Sequence, residues 1–79
     1  MTNMEKYTQA FTDTFGIGAE EAKSLKYQGI EQWDSVGHMS LIANIEDAFD
    51  IMMETDDIVD LGSFEKGKEI LKKYDVTVE

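Results

Sequence analysis

The sequence predicts an all-α fold: a single four-helix bundle with a long first connection and a short third helix. Three observations predict it. Apolar residues recur at steps of three and four, at Met4, Tyr7, Phe11 and Phe15 and again at Met39, Ile42, Ile45 and Phe49. Each stretch would therefore bury one helix face, and neither alternates as a half-buried strand does. Residues that cap helix starts stand ahead of the apolar stretches, at Thr2, Asp34, Thr55 and Ser63, and the chain has no proline to break the helices they open.

Taken in order, Thr2 precedes Glu5 at capping-box spacing and Gly16 supplies a stop, so the first helix is expected over about residues 3–15. Gly16 to Trp33 is a long connection. A structureless loop of that length is unusual in a compact domain, so Ala19 to Leu25 is expected to form a helical turn or two. Ile17, Leu25, Tyr27 and Ile30 would peg the connection to the core, with Trp33 as the anchoring aromatic at its end. The Asp34 carboxylate can accept amide hydrogens that lack intrahelical partners, so the second helix is expected to start at Ser35. Its inward residues would be Met39, Leu41, Ile42, Ile45 and Phe49, and Gly37 within it would cost up to about 1 kcal/mol relative to alanine. Thr55 would cap the short third helix, with Asp56 and Asp57 favouring its positive end and Ile58, Val59 and Leu61 facing inward until Gly62. Ser63 would cap the last helix, burying Phe64, Ile70, Leu71 and Tyr74, with Lys72 and Lys73 at its negative end. Residues from Val76 to Glu79 are expected to fray.

With 79 residues the chain has room for one domain, residues 1–79, and a thin core. It has no cysteine, which removes disulfides and thiolate metal sites and agrees with a reducing compartment. The net charge of −10, from 17 acidic against 7 basic residues, argues against nucleic acid and anionic membrane and for basic protein partners. No stretch approaches the roughly 20 apolar residues that span a bilayer. Met1 to Glu5 has neither a basic region nor an apolar run, so no secretory signal is expected and the cytoplasm is the default location of a monomer.

Asp34-Ser35-Val36, leading into a stretch that closes with Ile45-Glu46-Asp47-Ala48-Phe49-Asp50-Ile51, resembles an acyl carrier protein. Asp57-Ile58-Val59-Asp60-Leu61 resembles the short third helix of that family, and the resemblance covers nearly the whole chain. On the residues alone, Ser35 is a first-turn serine beside amides suited to a phosphate, or simply a common helix-start residue. The resemblance implies that Ser35 is esterified with 4′-phosphopantetheine, donated by coenzyme A under a separate magnesium-dependent phosphopantetheinyl transferase. The arm reaches about 20 Å, comparable to six extended residues, and its terminal thiol holds an acyl group as a thioester, so the chain needs no cysteine of its own. The domain would then be no enzyme but a tether that raises the local concentration of substrate at acyl-loading and acyl-using enzymes with basic docking surfaces. Their pathways would be fatty-acid, polyketide or other specialised acyl biosynthesis. The resemblance also implies that Asp34 contributes to recognition. Val36, Ser40, Ala43 and Asp47 share one helix face by steps of four, three and four, the face that meets partner enzymes in the family, with Asp56 and Asp57 extending it. Val36 in place of the commoner leucine, and an uncharged Ser40, point to a specialised carrier rather than the housekeeping one.

Two rivals stand beside this reading: a peptidyl or aminoacyl carrier, which shares the arm, and an unmodified acidic helical protein that binds a basic partner. Other patterns fail. Gly16-Ile17-Gly18 lacks the third glycine of a dinucleotide loop. His38 follows Ser35 by three residues, but no orienting third group or nucleophile elbow accompanies it, so it is expected at the surface near the arm. Glu54, Asp56, Asp57 and Asp60 lack the offsets of a calcium loop, and Met39, Met52 and Met53 read as ordinary packing.

Overall fold

Thr2 opens the first helix as a capping box in the computed structural model, which describes residues 1–78. Its hydroxyl accepts from the Glu5 amide at 3.0 Å, and the Glu5 carboxylate accepts from the Thr2 amide at 2.9 Å. Helix α1 covers Asn3–Phe15 and stops at Gly16, whose φ of 67° suits a residue without a Cβ. Helix α2 covers Ala19–Lys23, α3 covers Ser35–Phe49, α4 covers Thr55–Asp60, and α5 covers Phe64–Leu71 before a 3-10 turn over Lys72–Tyr74. The fold is all-α. Among the described residues the nearest thing to a sheet is one isolated antiparallel bridge, Lys26 with Ser63. That bridge stitches the long connection to the start of α5: the Tyr27 amide donates to the Gly62 carbonyl at 2.8 Å and the Phe64 amide to the Leu25 carbonyl at 3.0 Å.

The core is built on aromatic rings. Phe11 lies at its centre, with ring centroids 5.0 Å from Tyr7, 5.0 Å from Phe64, 5.6 Å from Trp33 and 6.3 Å from Phe15. Leu41, Ile42 and Ile45 of α3 and Leu61 and Leu71 are fully buried beside them. The Tyr7 hydroxyl donates to the Phe64 carbonyl at 2.7 Å, so its polar tip is satisfied in the interior, and burial pushes its pKa up. Helices α1 and α3 run antiparallel: the Phe15 ring sits against Gly37 near the start of α3, while Lys6 shares a groove with Asp47 and Ala48 near its end. No helix among the described residues is long and apolar enough to cross a membrane.

Four expectations are corrected. Met39 is 55% exposed, because at 100° per residue it lies about 110° around the helix from the mean direction of Leu41, Ile42 and Ile45. Val59 is 75% exposed, on the side of α4 away from Asp57 and Ile58. Thr55 lies inside α4, and the residue at the cap position, Glu54, makes no side-chain cap. The two amides just before the helix find distant partners: Met53 donates to Glu46 Oε2 at 2.8 Å and Glu54 to the Tyr74 hydroxyl at 2.9 Å. The end of the chain is packed rather than frayed. Val76 and Val78 are buried, and Asn3 Nδ2 donates to the Thr77 carbonyl at 3.0 Å; Glu79 lies outside the described residues.

Candidate functional site

Two of the sequence-predicted residues, Asp34 and Ser35, stand at the start of α3. Asp34 holds the extended cap conformation, φ −105° and ψ −166°, and its Oδ1 accepts from the Gly37 amide at 2.8 Å, closing the first turn. Ser35 follows as the first helical residue and is exposed. Gly37 is required here, which reverses its expected cost. A Cβ on it would collide with the Gln32 carbonyl oxygen and would lie 3.2 Å from the Phe15 ring. The connection thus passes hard against α3, and that passage fixes the position from which Ser35 projects.

Trp33 is fully buried behind this turn, and its indole N–H donates to His38 Nδ1 at 2.9 Å. Indole nitrogen can only donate, so Nδ1 carries the lone pair and the imidazole proton resides on Nε2. Nε2 lies 2.7 Å from the Ile58 carbonyl oxygen, an acceptor, and donates to it. His38 is therefore not the free surface group expected from the sequence; it is half-buried and bridges the connection to α4. Its ring is stacked on Trp33 at 15°, and the Tyr27 ring meets both edge-on at 6.1 Å and 5.5 Å.

Along α3, Val36, Ser40, Ala43 and Asp47 all lie exposed on one face. Val36 is 76% exposed, and Met39 and Val59, which the sequence assigned to the core, are likewise exposed apolar side chains. Asp56 and Asp60 are exposed on α4. Asp57 is not. It is 5% exposed, accepting from the Tyr74 hydroxyl at 2.5 Å and from Lys73 Nζ at 2.9 Å, so its expected place on the acidic surface is corrected. Adjacent helix residues point 100° apart, which sends Asp56 outward and Asp57 toward the 3-10 turn.

The Tyr74 hydroxyl first, and the Lys73 ammonium after it, hold the Asp57 carboxyl below the usual carboxylate range. A carboxyl with a depressed folded-state pKa adds stability above its unfolded value, and that stability is lost as pH falls through the folded value. Asp57→Asn is thus expected to melt below the wild type near neutrality, with the two melting curves converging in acid below the usual carboxylate range. Parallel thermal melts check this; a gap that persists unchanged in acid contradicts it.

A cavity of about 270 Å³ lies beside His38, lined also by Tyr27, Val59, Leu61 and Gly62. His38 follows Ser35 by three residues, so the cavity opens one helical turn from the serine. Among the described residues no three His, Cys, Asp or Glu side chains come together as a metal site. The sequence reading missed the Trp33–His38–Ile58 link. A tryptophan and a histidine five residues apart gave a weak signal, and their third partner, a carbonyl on α4, cannot be read from residue types. Neither a family model, nor a curated protein, nor a solved structure matches the chain.

Proposed function

We propose that the domain is an acyl carrier whose Ser35 is esterified with 4′-phosphopantetheine and whose α3 face docks the enzymes that load and use the bound acyl group. The observation that carries this reading is an exposed serine hydroxyl on the first turn of a capped 15-residue helix, set in the Asp34-Ser35-Val36 motif. We read α1, α3, α4 and α5 as the four helices of an acyl carrier fold, with α2 as an ordered part of the long first connection.

The chain's own residues have distinct tasks in this reading. Asp34 closes the first turn and leaves Ser35 reachable by a transferase. Helix α3 directs the positive end of its dipole at the phosphodiester that Ser35 would bear. The arm, when attached, supplies a thiol that holds acyl groups as thioesters. Exposed Val36, Met39 and Val59 give a partner apolar contacts, and exposed Asp34, Asp47, Asp56 and Asp60 add negative charge that steers basic surfaces toward the domain. A peptidyl or aminoacyl carrier would use the same geometry with a different cargo.

Incubation with a phosphopantetheinyl transferase, coenzyme A and magnesium is expected to raise the intact mass of the wild type by one phosphopantetheine and to leave Ser35→Ala unchanged. A wild type that gains nothing overturns the carrier reading. It would favour an unmodified acidic interaction protein, to which the exposed apolar side chains of Val36, Met39 and Val59 also lend themselves. A gain on Ser35→Ala would move the attachment elsewhere.

A further inference from the structure

Helix α4 has six residues, too few to hold a helix in isolation. Its position depends on what grips it. At its entrance, the Glu46 carboxylate takes the Met53 amide and the Tyr74 hydroxyl takes the Glu54 amide, while Asp57 is bound to Tyr74 and Lys73. Its exit is different. Ile58 lies in the last turn, where carbonyls lack intrahelical donors, and its carbonyl is taken by His38 Nε2 at 2.7 Å. His38 is thus the C-terminal cap of α4, supplied from α3, and its other nitrogen is committed to the buried Trp33 indole.

We propose that His38 is a proton-operated latch: neutral, it fastens the exit of α4 to α3, and a second proton on its ring releases α4 and opens the cavity beside it. The neutral ring offers one acceptor to an obligate donor and one donor to an obligate acceptor, so both bonds depend on a single protonation state. Protonating Nδ1 places its N–H against the N–H of Trp33, two donors facing each other. Trp33 is fully buried among Phe11, Phe15 and Tyr27, and its indole has no acceptor atom to offer. The imidazolium must turn away, and the Ile58 carbonyl loses its donor in the same motion.

The groups around the ring do not compensate its charge. From the connection, Tyr27 presents an aromatic edge. On α3 itself, the Asp34 carboxylate is bonded to the Gly37 amide and its carbonyl to the His38 amide. From α4 come the Ile58 carbonyl and Val59, with Asp57 turned to Lys73 and Tyr74, and beyond α4 come Leu61 and Gly62. Among the described residues no carboxylate is hydrogen-bonded to His38.

The test uses the unmodified, isotope-labelled chain, so its outcome is independent of any group on Ser35. NMR of the His38 ring nitrogens is expected to place the proton on Nε2 at about pH 8, with the Trp33 indole proton exchanging slowly. As His38 takes its second proton, the Trp33 indole and the amides of Val59 and Asp60 should lose about tenfold in protection after correction for intrinsic exchange, the equivalent of about one hydrogen bond. All should share the His38 midpoint while Phe11 on α1 keeps its protection. His38→Gln, which has an acceptor and a donor but no titration, should show no such pH step. A proton on Nδ1 at the alkaline end overturns the proposal, as does protection that survives the His38 titration. A step retained in His38→Gln also overturns it, and if that variant does not fold, the wild-type titration decides alone.

Discussion

Phe11→Ala is expected to bring the chain to the edge of unfolding at 25 °C. The ring is fully buried and lies in contact range of Tyr7, Phe15, Trp33 and Phe64, so its removal opens a hole where α1, the connection and α5 meet. Truncating a buried aromatic to alanine costs about 3–5 kcal/mol. A domain of this length has a total stability of only about 4–12 kcal/mol, at about 0.05–0.15 kcal/mol per residue. The variant should lose more than about 10 °C in melting midpoint. Far-UV circular dichroism melts read this directly, and a drop of under about 3 °C would show that the aromatic cluster does not hold the fold together.

Gly37→Ala tests the sign of an effect as well as its size. Helix propensity alone favours alanine by up to about 1 kcal/mol. The added Cβ, however, meets the Gln32 carbonyl, which is backbone and cannot swing aside, and presses on the Phe15 ring. Overpacking of this kind costs about 1–3 kcal/mol, enough to reverse the propensity gain. Urea unfolding should therefore show a destabilised variant. Stabilisation instead would mean that the segment from Gln32 to Trp33 retreats easily, and that Ser35 is less firmly placed than its surroundings suggest.

What could be read from the sequence was local. Thr2 with Glu5, Asp34, and Ser63, whose hydroxyl accepts from the Lys66 amide at 3.0 Å, each act within three residues, so residue type and spacing determine them. The bounds of α1 and the start of α3 followed from such signals, and the helical turn at α2 from the length of the connection it lies in. What could not be read depends on neighbours brought together by the fold. Apolar spacing marks Met39 as readily as Ile42, but how wide a stripe α1 covers is a property of the packed pair. Asp56 and Asp57 are the same residue type side by side, and only the approach of Tyr74 and Lys73 separates them. The entrance to α4 has no side-chain cap, and the two amides just before the helix, of Met53 and Glu54, are held from a distance by Glu46 and Tyr74. Among the candidate residues, the placement of Asp34 and the exposure of Ser35 on the first turn were legible, whereas the role of His38 required α4 to be in place.

The bond from Asn3 to the Thr77 carbonyl sets the two ends of the folded chain side by side. Since α1 and α3 are antiparallel, those ends lie at the pole remote from Ser35, roughly the 20 Å length of α1 away at 1.5 Å per residue. A peptide leader, affinity tag or neighbouring module spliced to either terminus would depart from that remote pole. Copies strung in series on one polypeptide would each keep the serine end facing outward, unobstructed by their own linkers.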